Sequence, residues 1–171
     1  MTASQLLPRM IVGRLARDQF RTVYPLMREA IPTLSLAHWM RYARRLADTD
    51  VSATTETTKA RTAKTGILVA SRAGAAHPSG AVCYQLASHL EYGSVMRAEH
   101  FIALDALFPD VILAALLADL DGIAACLKCS VIQSIVNSRP GHVADDMLLV
   151  ELRAAGYRAE GVTLLKIVVR E

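Results

Sequence analysis

Residues 111–127, VILAALLADLDGIAACL, are apolar nearly all the way round a helix. A helix on a protein surface needs one apolar stripe, whereas one that is apolar on most sides must be covered by several neighbours. A layered fold with a sheet meets that demand. The residues just before it, AEHFIALD, have strand character and lead into the helix through a short turn. In α/β proteins such a junction commonly holds a phosphate, because the first N–H groups of the helix have no partner of their own. Those turns are normally rich in glycine. Here the turn reads Ala106-Leu107-Phe108-Pro109-Asp110, with no glycine and with a carboxylate.

The rest of the chain reads in a similar way. Residues 10–16 are rich in β-branched and apolar types and suit a first strand. Asp18 is placed to cap a helix in which Phe20, Val23, Tyr24, Met27 and Ile31 recur at helical spacing. Pro32 interrupts it, and Ser35 can cap a second helix carrying Leu36, Trp39, Met40, Ala43 and Leu46 on one side. The threonine-rich stretch over about residues 48–65 has little to bury and is expected to be a mobile loop within a single domain spanning 1–171. Residues 66–72 and 80–87 read as strands joined by AGAAHPS, a hairpin turn. Residues 95–105 form a third strand of this group. Simple alternation puts Met96, Ala98, His100, Ile102 and Leu104 on one face and Val95, Arg97, Glu99, Phe101 and Ala103 on the other. A strand over 130–136, a loop at 137–141, a helix over 143–155 ended by Gly156, and a last strand over 162–170 complete the pattern. The fold class is α/β (α+β): a mixed sheet with helices on both faces.

Composition narrows the function. The chain has 171 residues, of which 53% are hydrophobic and 20% charged, enough for a substantial core. A net charge of +3 does not imply a nucleic-acid partner. The arginines cluster between residues 9 and 45, and the segment 99–151 leans acidic, so a basic face toward an acidic ligand is one reading and solvated helix faces the commoner one. No signal layout opens the sequence, and the apolar run 111–118 is far too short to span a bilayer. A cytoplasmic protein with no membrane partner is expected. Three cysteines fit a reducing compartment.

Candidate chemistry is sparse. Cys126 and Cys129 form a C-x-x-C, but at a helix C-terminus, where the dipole opposes a thiolate; zinc would also need two more ligands. Small residues at an element junction, with no metal, account for them better. His100 is expected to be a hydrogen-bonded core histidine. Glu99 shares a strand face with Arg97, about 6–7 Å away by strand geometry. A carboxylate in mid-sheet beside a cleft suits a general base. An Arg97–Glu99 pair on a solvated or interface face is the simpler account from spacing alone.

The order of elements and the local wording resemble the GNAT superfamily of N-acetyltransferases over nearly the whole chain. IVGRLARDQFRTVYPLMREAIP is similar to that family's opening strand and helix, GILVASRAGAAHPSGAVCYQL to its second and third strands, and ELRAAGYRAEGVTLLKIV to its closing helix, Gly-aromatic turn and last strands. The resemblance implies a sheet splayed between the fourth and fifth strands, with acetyl-CoA or another acyl-CoA entering the gap. It points to Glu99 as the region of a base and to Tyr157 as a weak match for a proton-donating tyrosine. It also places Leu104 and Asn137 beside the cofactor arm. The family's glycine-rich diphosphate loop is degenerate here, and Asp110 would repel a phosphate.

Two functions follow from the resemblance. One is an acyl-CoA-dependent N-acyltransferase acting on a small-molecule or peptide amine. The other is a non-catalytic GNAT-like module that binds a ligand or forms a homodimer.

Overall fold

The computed structural model describes residues 8–48, 63–136 and 143–160. Most of the threonine-rich stretch, the loop bearing Asn137 and the expected last strand over 162–170 lie outside these residues. Among the described residues one sheet runs in the order β1 (Met10–Arg14), β2 (Thr65–Arg72), β3 (Gly80–His89), β4 (Gly93–Ala103) and β5 (Val131–Ile135). The first four strands are antiparallel to their neighbours, and β5 joins β4 in parallel. Helices α1 (Phe20–Ala30) and α2 (Leu36–Asp48) cover one face. Helices α3 (Pro109–Cys126) and α4 (Val143–Ala154) cover the other.

Each face has its own apolar cluster. Phe20, Val23, Met27, Trp39, Ala43 and Leu46 pack on Ile67, Val69, Ala81 and Cys83. The alternate residues Leu68, Ala70, Val82, Tyr84, Met96 and Ala98 pack on Ile112, Leu113, Leu116, Leu117 and Leu120 of α3. This is the period-two division of a sheet buried on both sides. Helix α3 is covered by the sheet and by α4, whose Leu148 and Leu152 join the same cluster. Its outer side carries exposed Ala114, Ala118 and Ala125, so the helix reads as apolar all round without being buried all round.

Local chemistry sets the element ends. Asp18 does not cap α1 as expected; it sits inside a 3-10 turn, Arg17–Gln19. The chain there is tied instead by Gln19, whose Oε1 accepts the Ala16 N–H at 3.1 Å. Ser35 caps α2 as expected, its Oγ accepting the His38 N–H at 3.2 Å. The Trp39 indole N–H donates to the Phe20 carbonyl at 2.7 Å and fastens α2 to the start of α1. Gly156, with φ of +90°, ends α4. Around it the Tyr157 N–H reaches the Leu152 carbonyl at 2.9 Å and the Gly156 N–H reaches Arg153 at 3.0 Å, a Schellman closure.

Strand β4 departs from simple alternation. Cys83 pairs with Glu99 and Ala81 with Ile102, so three steps on β4 oppose two on β3. The extra residue is a β-bulge, and His100 takes a φ of +56° within it. Beyond the bulge the faces exchange. Ile102 packs with α1 and α2, while Phe101 and Ala103 join the α3 side. The expected grouping of Ile102 with Met96 and Ala98 is therefore corrected. Pairing with β5 runs from Val95↔Val131 to Glu99↔Ile135, and β4 then continues through Ala103 with no β5 residue opposite.

Gly80 marks the closest approach of sheet to helix: a Cβ there would lie 2.2 Å from Cγ2 of Ile112, which is itself fully buried. Gly80→Ala should destabilise the fold by about 1–3 kcal/mol through overpacking. Gly13→Ala, where an added Cβ meets nothing within 4 Å, should change stability by only a few tenths. Urea unfolding of the two variants checks the contrast.

Candidate functional site

On the α1/α2 face, where packing gives way near the bulge, lies an open cavity of about 430 Å³. Its floor is the exposed face of β3 and β4 (Cys83, Gln85, Arg97 and Glu99), and its wall is Tyr42, Arg45 and Leu46 of α2 together with Thr65. The volume falls at the lower end of the range for small-molecule sites.

Glu99 stands at the last residue paired to β5. Its side chain is about one-third exposed, and its Oε2 lies 3.9 Å from Nε2 of His100. His100 is thus not the core histidine expected from alternation. The bulge moves its imidazole, equally exposed, next to the Glu99 carboxylate. Nor is Glu99 paired with Arg97: the Arg97 Nε donates to Oε1 of Gln133 on β5 at 3.3 Å. At the cavity base Tyr42 and Cys83 share a hydrogen bond. Burial pushes the Cys83 thiol up to about 12, so it stays protonated. The Tyr42 hydroxyl is raised as well, by burial and then by its Cys83 neighbour. Neither is a ready nucleophile; both shape the floor.

The two candidate catalytic residues are not brought together. Tyr157 packs against the α3-side cluster, across the sheet from the cavity. Its hydroxyl is enclosed beside that of Ser134 on β5. Burial raises the Tyr157 pKa. Leu104 is 44% exposed, and its N–H is already donated to the Ser79 carbonyl at 2.7 Å. Asn137 is outside the described residues. Cys126 ends α3 and, like Cys83 and Cys129, is free; Lys128 between them turns with φ of +55°. Among the described residues no three His, Cys, Asp or Glu side chains gather as a metal site would require. No helix among them is long and apolar enough to cross a membrane.

The turn before α3 shows why no glycine is needed there. Oδ1 of Asp105 accepts the Leu107 N–H at 2.9 Å and the Phe108 N–H at 3.1 Å, and its Oδ2 is paired with the Arg72 guanidinium. Arg72 in turn lies over the Phe108 ring, 5.4 Å from its centroid. Two amides of the turn, those of Leu107 and Phe108, are thus taken by the chain's own carboxylate, Pro109 has none to give and Asp110 adds negative charge, so the turn does not fit a diphosphate as a glycine-rich loop does.

The fold that carries this site, with β4 outrunning its parallel neighbour β5 and α3 leaving its end, is shared with solved structures. The chain matches the aminoglycoside N-acetyltransferase AAC(6')-Iy in complex with CoA over 95% of its length and 96% of that chain, with a TM-score of 0.72 and 10% identity. It matches aminoglycoside 6'-N-acetyltransferase AAC(6')-Ih from Acinetobacter baumannii over 95% of its length and all of that chain, with a TM-score of 0.68 and 14% identity. A transcriptional regulator from Bacillus halodurans C-125 matches over 94% and 100% of the two chains, with a TM-score of 0.71 and 12% identity. The chain has the fold of the GNAT superfamily of N-acetyltransferases. At these identities the likeness speaks to fold alone. No family model and no curated protein sequence matches it.

Sequence reasoning missed His100, Asp105 and the Tyr42–Cys83 base. For Asp105 a signal existed: an aspartate two and three residues ahead of two amides is the spacing of an Asx turn.

Asp105 also makes a pH prediction. Its pKa is held below the ordinary 3.8, chiefly by the Leu107 N–H, with Phe108 and Arg72 adding to the effect against some desolvation. A depressed folded-state pKa contributes stability that is present above the unfolded value and is lost as pH falls through the folded one. Asp105→Asn should therefore melt below the wild type at pH 7, and the gap should shrink as pH falls below 3.8. Paired thermal melts across that range would check it.

Proposed function

We propose that the protein is an N-acyltransferase that moves an acyl group from an acyl-CoA thioester to an amine bound in the cavity. The observation that supports this reading is the position of Glu99. It lines the cavity and is also the last β4 residue paired to β5, so an amine in the cavity and a donor laid along the free edge of β4 meet at its carboxylate. The β4 edge beyond Glu99, which has no strand partner on the β5 side among the described residues, suits the amide groups of a pantetheine arm, by the same hydrogen bonds that add a strand to a sheet. The diphosphate contributes little, since Asp105 has taken its amides.

In this scheme Glu99 removes a proton from the substrate ammonium, and His100 beside it carries that proton toward solvent. The neutral amine attacks the acyl carbon and the C–N bond forms; the nitrogen of the adduct loses its second proton to solvent, and the C–S bond breaks to release the thiolate, which is protonated from solvent. Tyr157 has no part, because its hydroxyl is enclosed on the far face.

Glu99→Gln should lower kcat by about 10²–10⁴-fold, the usual contribution of a positioned base, with KM for the amine changed far less. Acetyl-pantetheine should replace acetyl-CoA with kcat/KM within about tenfold, a difference of only ~1.4 kcal/mol. A steady-state assay of released thiol over a panel of amines tests both. Full activity of Glu99→Gln would remove the carboxylate from the mechanism. No turnover with any donor would leave a non-catalytic module.

A further inference from the structure

Resting on the acyl-transfer reading of this cavity, we infer that its acceptor is a primary amine that carries an anionic group close to the nitrogen. Among the described residues the lining holds two guanidiniums, Arg45 and Arg97, against the single carboxylate of Glu99. Arg97 is the better-defined of the two. Gln133 holds its Nε, which orients the guanidinium and leaves the Nη edge without a protein hydrogen bond among the described residues. That edge is a bidentate donor for a carboxylate or phosphate. Arg97 and Glu99 lie two residues apart on one strand face, roughly 7 Å between backbones, so an ammonium at Glu99 leaves an anion a few bonds away facing Arg97.

Arg45 also lines the wall, its guanidinium over the Tyr42 ring, 5.4 Å from the centroid. Thr65 and Gln85 supply neutral donors and acceptors, and no second carboxylate lines the cavity among the described residues. A polycation would bring several ammonium groups to a wall whose one carboxylate among the described residues is Glu99.

The test compares matched amines that differ by one charge. L-leucine is set against L-leucinamide, and O-phosphoethanolamine against ethanolamine, with spermidine as the polycation. Calorimetry measures binding to the full chain, and thiol release from acetyl-CoA measures transfer. The anionic member of at least one pair should bind roughly tenfold or more tightly than its neutral partner, and which pair discriminates tells carboxylate from phosphate. Spermidine should bind weakest. Arg97→Gln should erase the gap, Arg97→Lys should retain part of it, and circular dichroism establishes that both variants fold. Equal binding within both pairs, no binding by any of the five, or a preference for spermidine would overturn the inference. Charge-blind transfer to all amines would overturn it while leaving the acyltransferase reading intact. Charge-selective binding without transfer would do the reverse.

Discussion

One extra residue in β4 controls the centre of this molecule. At His100 the strand gains a step on β3, and three features meet there. Alternation reverses, so that Ile102 fills the α1/α2 core and Phe101 and Ala103 turn to α3. The pairing with β5 ends at Glu99, the residue just before the bulge. And the His100 ring swings to the carboxylate of Glu99. A non-glycine residue at positive φ costs on the order of 1–3 kcal/mol and persists only where its surroundings over-determine it. Here the surroundings are Ile102 on one face and the α3-side cluster on the other, both buried and both dependent on the switched register.

The second constraint is the start of α3. A helix N-terminus leaves N–H groups that must find acceptors. A cofactor phosphate is one solution and a side chain another. This chain uses Asp105 and balances the added charge with Arg72 from β2. Asp105 holds the turn before α3 in shape by its own contacts, at the Leu107 and Phe108 amides. It also ties β2 to the β4–α3 turn across the sheet, which a glycine-rich loop would not do. Asp105 and a diphosphate would compete for the Leu107 and Phe108 amides, so at those two groups the chain's own contact stands against the ligand's.

Periodicity carried most of the fold in the sequence. The strands and helices each occupy enough residues for their period to show, and Ser35 and Gly156 mark ends by chemistry that needs only local reach. The bulge was illegible because nothing punctuates it. A histidine between Glu99 and Phe101 fits simple alternation as well as the true register does, and only the pairing with β3 reveals the extra step. The same error misplaced His100 in the core. Glu99 was legible as an isolated carboxylate in a strand, but its surroundings were not. Tyr42, Cys83 and Gln133 come from three other elements, and their meeting is a tertiary fact.

The two faces of the sheet divide the work. The α3 side is packed with apolar side chains from all five strands and two helices, and among the described residues no Asp, Glu, Lys or Arg is buried in it. The α1/α2 side is packed toward β2, the start of β3 and Ile102 of β4, and an open cavity lies between α2 and Glu99. A carboxylate and a guanidinium two residues apart can sit in mid-sheet at little cost only where the covering layer admits water, since burying unpaired charges is expensive. The opening in the layer is therefore the condition for having Glu99 and Arg97 there at all. Closing it with apolar side chains at Tyr42 or Thr65 would strand both charges, so in this fold the stability of the site and its access to a ligand come from the same gap.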